Sequence, residues 1–221
     1  LNCLRKLSSL YLKWMNRSKY ISFILLLLII LIFKAVIFEF YYVTSASMSE
    51  TILPGDFLLI NKLVFGTNTP NRAYLPFVDS GFGLPSFKIP AVRAINQGEI
   101  IVVDNDNYPG CENNMIKRVA AVEGQSVTVI EDLVFVDGIL HNSEKITGAG
   151  EIEISDEYNL NTFVVPEGKL FLVGDNIEFS YDSRDFGFVD TKDVIGKAVL
   201  IYASKDSEGN FRWDRFLNKP Q

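Results

Sequence analysis

The chain has 221 residues, with 21 basic and 27 acidic side chains and a formal charge of −6, enough for one good-sized domain or a membrane anchor plus an ordinary one. The five basic residues Arg5, Lys6, Lys13, Arg17 and Lys19 stand together without an acid, leaving 16 basic against 27 acidic side chains beyond them; that acidic body excludes a basic nucleic-acid-binding face. Two cysteines and one histidine, at no zinc-site spacing, give no expectation of a metal or other cofactor.

The chain opens on Leu1 without an initiator Met, which leaves open whether residues precede it. Residues 1–19 read as a basic cytoplasmic tail. Within "LRKLSSLYLKWM", Leu4, Leu7, Tyr11 and Trp14 fall near one helical face, as in a short helix on the inner leaflet; an ordinary solvated tail fits as well. Next, "YISFILLLLIILIFKAVIFEFYYV", residues 20–43, reads as a transmembrane signal anchor. As a helix, its 24 residues reach roughly 36 Å, enough for a hydrocarbon core of about 30 Å. Lys34 is its single basic residue and can snorkel. A cleavable signal peptide is the competing reading, but its apolar core would run only about 7–15 residues. Basic residues before the span place the N-terminus in the cytoplasm and the body outside the cell membrane. Cys3 and Cys111 then lie on opposite sides, so no internal disulfide is expected.

Residues 44–221 read as a mainly β extracytoplasmic domain. Short apolar runs such as "DFLLINKLVF", "EIIVVDN", "SVTVI" and "VIGKAVLIYA" recur without a sustained helical period. Asp137-Gly138 between two alternating runs marks a hairpin, within a β-hairpin insertion placed around 126–165. From Gly66 to Gln97 a Pro-, Gly- and aromatic-rich stretch reads as an ordered surface excursion with no assignable chemistry.

The chemistry-bearing stretches are three. "TSASMSETILPGD", residues 44–56, places Ser45 and Ser47 just after the anchor. Serine is common at helix ends; alternatively, Ser47 is a nucleophile held at membrane level. A nucleophilic serine needs a base. His141, the single histidine, sits in a predicted hairpin, where a surface role is commoner than catalysis. A lysine can serve if it is desolvated or set beside other cations. Lys117, in "NMIKRVAAVEGQ", has apolar neighbours on both sides, although a Lys-Arg pair in a strand more often faces solvent. Behind the apolar run "KLFLV", "GDNIEFSYDSRDFGFVD" keeps polar residues for longer than a simple turn needs.

Taken in order behind the anchor, "SASM" with "LPGD", "QGEIIVVDN", "IKRVAAVEGQ" and "GDN...S.DSR..GFV" resemble the successive motifs of type I signal peptidases across residues 43–189. The resemblance implies a mixed β-barrel or sheet domain of that type. It also implies a membrane-bound serine endopeptidase that removes signal peptides after small residues at −1 and −3. Ser47 would be the nucleophile and Lys117 the general base. Ser45 would join the Ser47 amide in an oxyanion hole, and Ser180 would orient Lys117. Asp182 with Arg184, and Asp175 with Arg118, would support the site; Val43, Met48 and Ile116 would line the small substrate pockets. The implied partners are secretory preproteins, membrane lipid and the protein export machinery.

The chain departs from the family pattern at Ser49-Glu50, where a proline is usual, and at Ile177, where an arginine is usual; "VEGQ" also replaces a commoner Leu-Pro-Gly-Asp. Three other readings stay open. One is a specialised pilin- or conjugation-substrate maturation peptidase of the same family. Another is a catalytically weak, membrane-anchored assembly factor, for which Ile177 speaks. The third is a sortase-like transpeptidase using Cys111 and His141, against which the missing Thr-Leu-x-Thr-Cys signature counts. With a helix ending at Val43, Ser47 is expected about 13 Å beyond the helix end.

Overall fold

The computed structural model describes residues 19–27, 30, 37–68, 72–73, 82–83, 88–104, 108, 114–141 and 161–220. The chain divides into two compact units, Leu1–Phe38 and Glu39–Gln221. In the first, residues 19–27 form helix α1, and residues 30 and 37 are also helical. The tail helix expected over 4–15, and much of the expected anchor, lie outside the described residues. No helix among the described residues is long and apolar enough to cross a membrane.

The expected anchor boundary at Val43 is wrong. Phe38–Tyr42 is a strand, β1, and Val43 after it is buried in the core of the second unit. The cause is visible in "FEFYY": aromatics favour a pleated strand, and Glu39, an acid ill-suited to hydrocarbon, pairs with Lys62 at 3.4 Å. Ser47 therefore follows a strand, and the 13 Å estimate from a helix end does not hold.

The second unit is built on a seven-stranded sheet ordered β1-β2-β15-β7-β8-β13-β14. Its further strands are β2 (Asp56–Asn61), β7 (Ile100–Val103), β8 (Met115–Val122), β13 (Lys169–Val173), β14 (Val189–Asp190) and β15 (Val194–Ser204). The pairings β2–β15, β15–β7, β7–β8, β8–β13 and β13–β14 are antiparallel. The excursion after Gly66 holds two short pairs, one inside the other along the chain: β3 (Thr67–Asn68) with β6 (Lys88–Ile89), and β4 (Arg72–Ala73) with β5 (Phe82–Gly83).

A second sheet, ordered β11-β10-β9-β12, comprises β9 (Ser126–Ile130), β10 (Leu133–Val136), β11 (Ile139–Leu140) and β12 (Asn161–Val164). Val136 faces Ile139 across the Asp137-Gly138 turn, where φ is +51° and +81°. Two positive φ values match the twist of the strands they join, which favours Asp-Gly there.

Strand β7 reads Ile-Ile-Val-Val, and all four residues are buried. Ile100 and Val102 join a cluster with Val43, Met48, Ile52 and Leu58, whereas Ile101 and Val103 join one with Met115, Val119, Leu170 and Leu172. Both faces of the sheet are therefore covered at its centre. This is where β8 runs, so a polar side chain on β8 is desolvated by its position.

Just before β7, the Glu99 carboxylate accepts from Lys197 at 2.6 Å and from the Asn96 amide at 3.0 Å, and it pairs with Arg93. Burial opposes its ionisation, but the Arg93 and Lys197 hydrogen bonds outweigh burial and lower its pKa from 4.5 to about 2. A carboxylate with a depressed folded pKa stabilises the fold above its unfolded pKa and loses that contribution as pH falls through the folded value. Stability of the wild type should therefore decline between about pH 4.5 and 2. Glu99→Gln should flatten that part of a chemical-denaturation profile; an unaltered slope would show that Glu99 carries none of it.

Candidate active site

The turn that carries Ser47 is fixed from both ends. Val43 and Asp56 are joined by a backbone bond of 2.9 Å, and the Gly55 amide donates to Val43 O at 2.8 Å. Between them, the amides of Thr51 and Ile52 both donate to Met48 O, at 2.9 and 2.7 Å. This single helical turn drives Met48 and Ile52 into the core and leaves Ser47 8% exposed. The Ser47 amide donates to Ser45 Oγ at 3.2 Å. Asn176 clips the same turn: its amide donates to Ser47 O at 3.0 Å and its side-chain amide to Ala46 O at 3.0 Å.

Lys117 lies on β8 opposite Ile101 and is 4% exposed. Its Nζ donates to Ser180 Oγ at 2.8 Å, and Ser180 donates in turn to Asp182 Oδ2 at 2.6 Å. With its proton given to Asp182, the Ser180 oxygen turns a lone pair to the lysine, which fixes Nζ by direction as well as distance. Asp182 is fully buried and also accepts from the Gly174 amide at 2.9 Å and from Arg184 Nε at 2.9 Å. Burial opposes its ionisation; the Arg184, Ser180 and Gly174 hydrogen bonds overcome it and hold the carboxyl below the usual range. The local sequence explains the placement. Asp182 caps the one-turn helix α2 (Ser183–Phe186), with Asp185 completing a capping box.

A second buried pair stands behind the first. Arg118 grips Asp175 with two bonds of 2.6 Å, from Nε and Nη2. Thr51, on the Ser47 turn, gives its hydroxyl proton to the same carboxylate, and the Asp175 amide points at Met48 Sδ, 3.4 Å away. The position where the chain carries Ile177 contributes only backbone, its carbonyl accepting from Arg184 Nη2 at 3.1 Å.

Ser45, Ser47, Val43, Met48, Ile116 and Lys117 all line one cleft of about 490 Å³, with Tyr41, Phe179 and Tyr181 also in its walls. Ser180, Asp182, Arg184, Asp175 and Arg118 form the hydrogen-bonded layer around it. His141 follows β11 in the second sheet and is not among the residues lining this cleft. Cys111 lies outside the described residues. Three contributors were not singled out from the sequence: Asn176, Thr51 and Gly174. The first two act through partners more than a hundred positions away; a glycine directly after a buried strand was the available signal for the third. A hydroxyl and a buried amine sharing a largely apolar cleft suit nucleophilic attack on a carbonyl.

A sequence model of the family described as "Signal peptidase, peptidase S26" matches residues 15–203. Signal peptidase I of Aquifex aeolicus is 28% identical, covering 85% of this chain and 84% of its own. Signal peptidase I of Rickettsia typhi is also 28% identical, covering 85% and 80%, and that of Buchnera aphidicola is 27% identical, covering 86% and 76%. A crystal structure of a signal peptidase I from Enterococcus faecalis aligns at 26% identity with a TM-score of 0.37, covering 49% of this chain and 100% of that one.

Gly174 provides a test of the packing. A Cβ there would lie 2.2 Å from Ser180 Oγ and 2.5 Å from Ser47 O, so neither the relay nor the serine turn could stay in place. Gly174→Ala should cost about 1–3 kcal/mol of stability by overpacking, read by chemical denaturation. A variant as stable as the wild type would show that these segments do not meet as closely as described.

Proposed function

The chain belongs to the signal peptidase family, peptidase S26, as a type I signal peptidase, and we propose that Ser47 and Lys117 carry its reaction. Ser47 Oγ attacks the carbonyl at the end of a signal peptide while Lys117 Nζ takes the hydroxyl proton. The tetrahedral intermediate collapses as Lys117 returns that proton to the leaving amine, leaving an ester on Ser47. A water molecule, deprotonated by Lys117, then attacks the ester, and Lys117 passes that proton to Ser47 Oγ as the ester bond breaks and the signal peptide leaves with its new carboxyl group. The Ser47 amide and the Ser45 hydroxyl stabilise the oxyanion, which requires Ser45 to stop accepting from that amide and to donate instead. Val43, Met48 and Ile116 form the walls that select small residues at −1 and −3.

The observation that carries this reading is the fixed lysine. Lys117 is buried in the cleft that Ser47 lines, and a serine whose proton is committed to Asp182 orients it. Ser180 is thus a positioning residue, and the Asp182–Arg184 and Asp175–Arg118 pairs hold it and the serine turn in register. The Ile177 carbonyl still accepts from Arg184, so the Asp182–Arg184 pair is held without the arginine usual at that position, which favours an active enzyme over an inert assembly factor.

Membrane attachment is part of the same proposal. Tyr20, Ile21, Phe23, Ile24, Leu25, Leu26 and Leu27, all but Lys19 and Ser22 of α1, are exposed, and a helix apolar on every side calls for lipid or protein around it. The apolar run that begins at Tyr20 would form the span, with the basic tail in the cytoplasm and the peptidase unit outside. Secretory preproteins, held in the same bilayer by their own apolar segments, are the substrates.

Full-length protein in detergent should cleave a precursor with Ala at −1 and −3. Ser47→Ala and Lys117→Ala should each abolish cleavage without unfolding the protein, and Lys117→Arg should fail too, because a guanidinium stays protonated. Cleavage should rise toward alkaline pH, since the base acts only when neutral. Substantial turnover by Lys117→Ala would remove the mechanism. Ser45→Ala should lower kcat about 100- to 1,000-fold with little change in KM; an effect confined to KM would make Ser45 a binding residue.

A further inference from the structure

The family match ends at residue 203, yet the chain beyond it reaches back to the turn that carries Ser47. Trp213–Arg215 forms one tight turn beside β15, where Ile201 bridges Asn218. From there Arg215 donates to both oxygens of Asp56, at 3.0 and 2.6 Å, and to the Thr51 carbonyl at 2.9 Å. Arg212 donates to Pro54 O at 3.0 Å and Ser204 Oγ at 3.3 Å. Asp56, fully buried, passes the hold on by accepting from the Leu53 amide at 2.8 Å. The Lys205 amide donates to Gly55 O at 2.9 Å, and a Cβ on Gly55 would sit 2.0 Å from Lys205 O. The backbones there approach as only glycine allows.

These contacts fall on a segment that has little stiffness of its own. Between Ser47 and Leu53 there is no proline to fix φ, and one helical turn is too short to be stable alone. A carbonyl at the end of such a turn lacks an internal partner, and an arginine can supply one. Thr51 is thus held through both its carbonyl and its hydroxyl. Arg215 takes its carbonyl, while Asp175 accepts its hydroxyl. Thr51 is four residues from the proposed nucleophile. Asp175 is followed by Asn176, whose amide binds Ser47 O.

We propose that Arg215 is a positioning residue for catalysis, clamping the 47–56 turn so that Ser47 stays in register with Lys117; this rests on the Ser47–Lys117 reading. Arg215 is not among the residues lining the cleft, so its loss removes no group that would touch substrate, and Met48, the wall residue on the same turn, keeps its own anchorage in the core cluster. Displacing a nucleophile by about 1 Å typically costs about 100-fold in rate.

The test is steady-state cleavage of a short soluble Ala-x-Ala peptide by the full chain in detergent, with kcat counted per folded molecule by near-UV circular dichroism. Arg215→Lys keeps the charge but not the planar fork that spans Asp56 and Thr51. Asp56→Asn combined with Arg215→Gln removes the charge that would otherwise be left buried and unpaired, so it tests the clamp should a single variant fail to fold. Both should lower kcat about 10- to 100-fold with KM nearly unchanged. A melting temperature that falls while kcat per folded molecule holds would overturn the proposal, leaving Arg215 a structural residue. A change confined to KM would overturn it as well. Wild type and Ser47→Ala run alongside: loss of the dyad reading would appear as cleavage surviving Ser47→Ala, whereas failure of the clamp alone leaves that control inert.

Discussion

The Arg118–Asp175 ion pair ties together the three segments on which the site depends. Its cation follows Lys117 on β8. Its carboxylate stands between Gly174, which packs under Ser180 and Ser47, and Asn176, which holds the Ser47 carbonyl. Through Thr51 the same carboxylate reaches the serine turn. Both charges are nearly or wholly out of solvent, at 9% and 0% side-chain exposure. Removing one partner of such a pair costs about 3–5 kcal/mol, because the other is left buried without compensation. That is a large part of a typical domain's stability of about 5–15 kcal/mol. The pair is therefore best understood as fixing a single arrangement of the serine, lysine and Ser180 segments rather than as a surplus of stability.

Polar groups around the cleft are arranged in series. Arg184 satisfies Asp182, Asp182 accepts the hydrogen bond of the Ser180 hydroxyl, and Ser180 presents its oxygen to Lys117. Each member has its donor or acceptor direction set by the next, so the lysine is placed by a chain of bonds anchored in a helix cap. A partly satisfied network of this kind would be costlier than an apolar core. Here the buried carboxylates are each met by an arginine, and the capping box supplies the remaining backbone donors. The aliphatic clusters on either face of β7 then provide the dry surroundings in which those bonds count most.

Much of this was legible in the sequence where the signal is local. Asp137-Gly138 gave a hairpin because the residue types demand positive φ values there. Lys117 stood out as a candidate base because its neighbours on β8 are apolar, although a Lys-Arg pair in a strand more often faces solvent, and the polar run after "KLFLV" read as more than a turn because it was too long for one. The end of the apolar run was misread. Hydropathy does not separate a lipid-facing helix from an aromatic strand, and Glu39 in "FEFYY" was the overlooked marker. Asn176, Thr51 and Arg215 were not legible, since each acts through a partner brought near only by the folded sheet. The second sheet's pairing of β9 with β12, across residues outside the described set, is non-local in the same way.

The most direct measurement is chemical rescue of the proposed base. In a background with Cys3 and Cys111 replaced, Lys117→Cys should be inert toward an Ala-x-Ala precursor. Alkylation of the new thiol to an aminoethyl side chain restores an amine of lysine length but lower basicity. Cleavage should return, with its alkaline limb displaced to lower pH. If aminoethylation leaves the enzyme inert while the fold stays intact, or if Lys117→Cys cleaves before any amine is restored, then Lys117 is not the base.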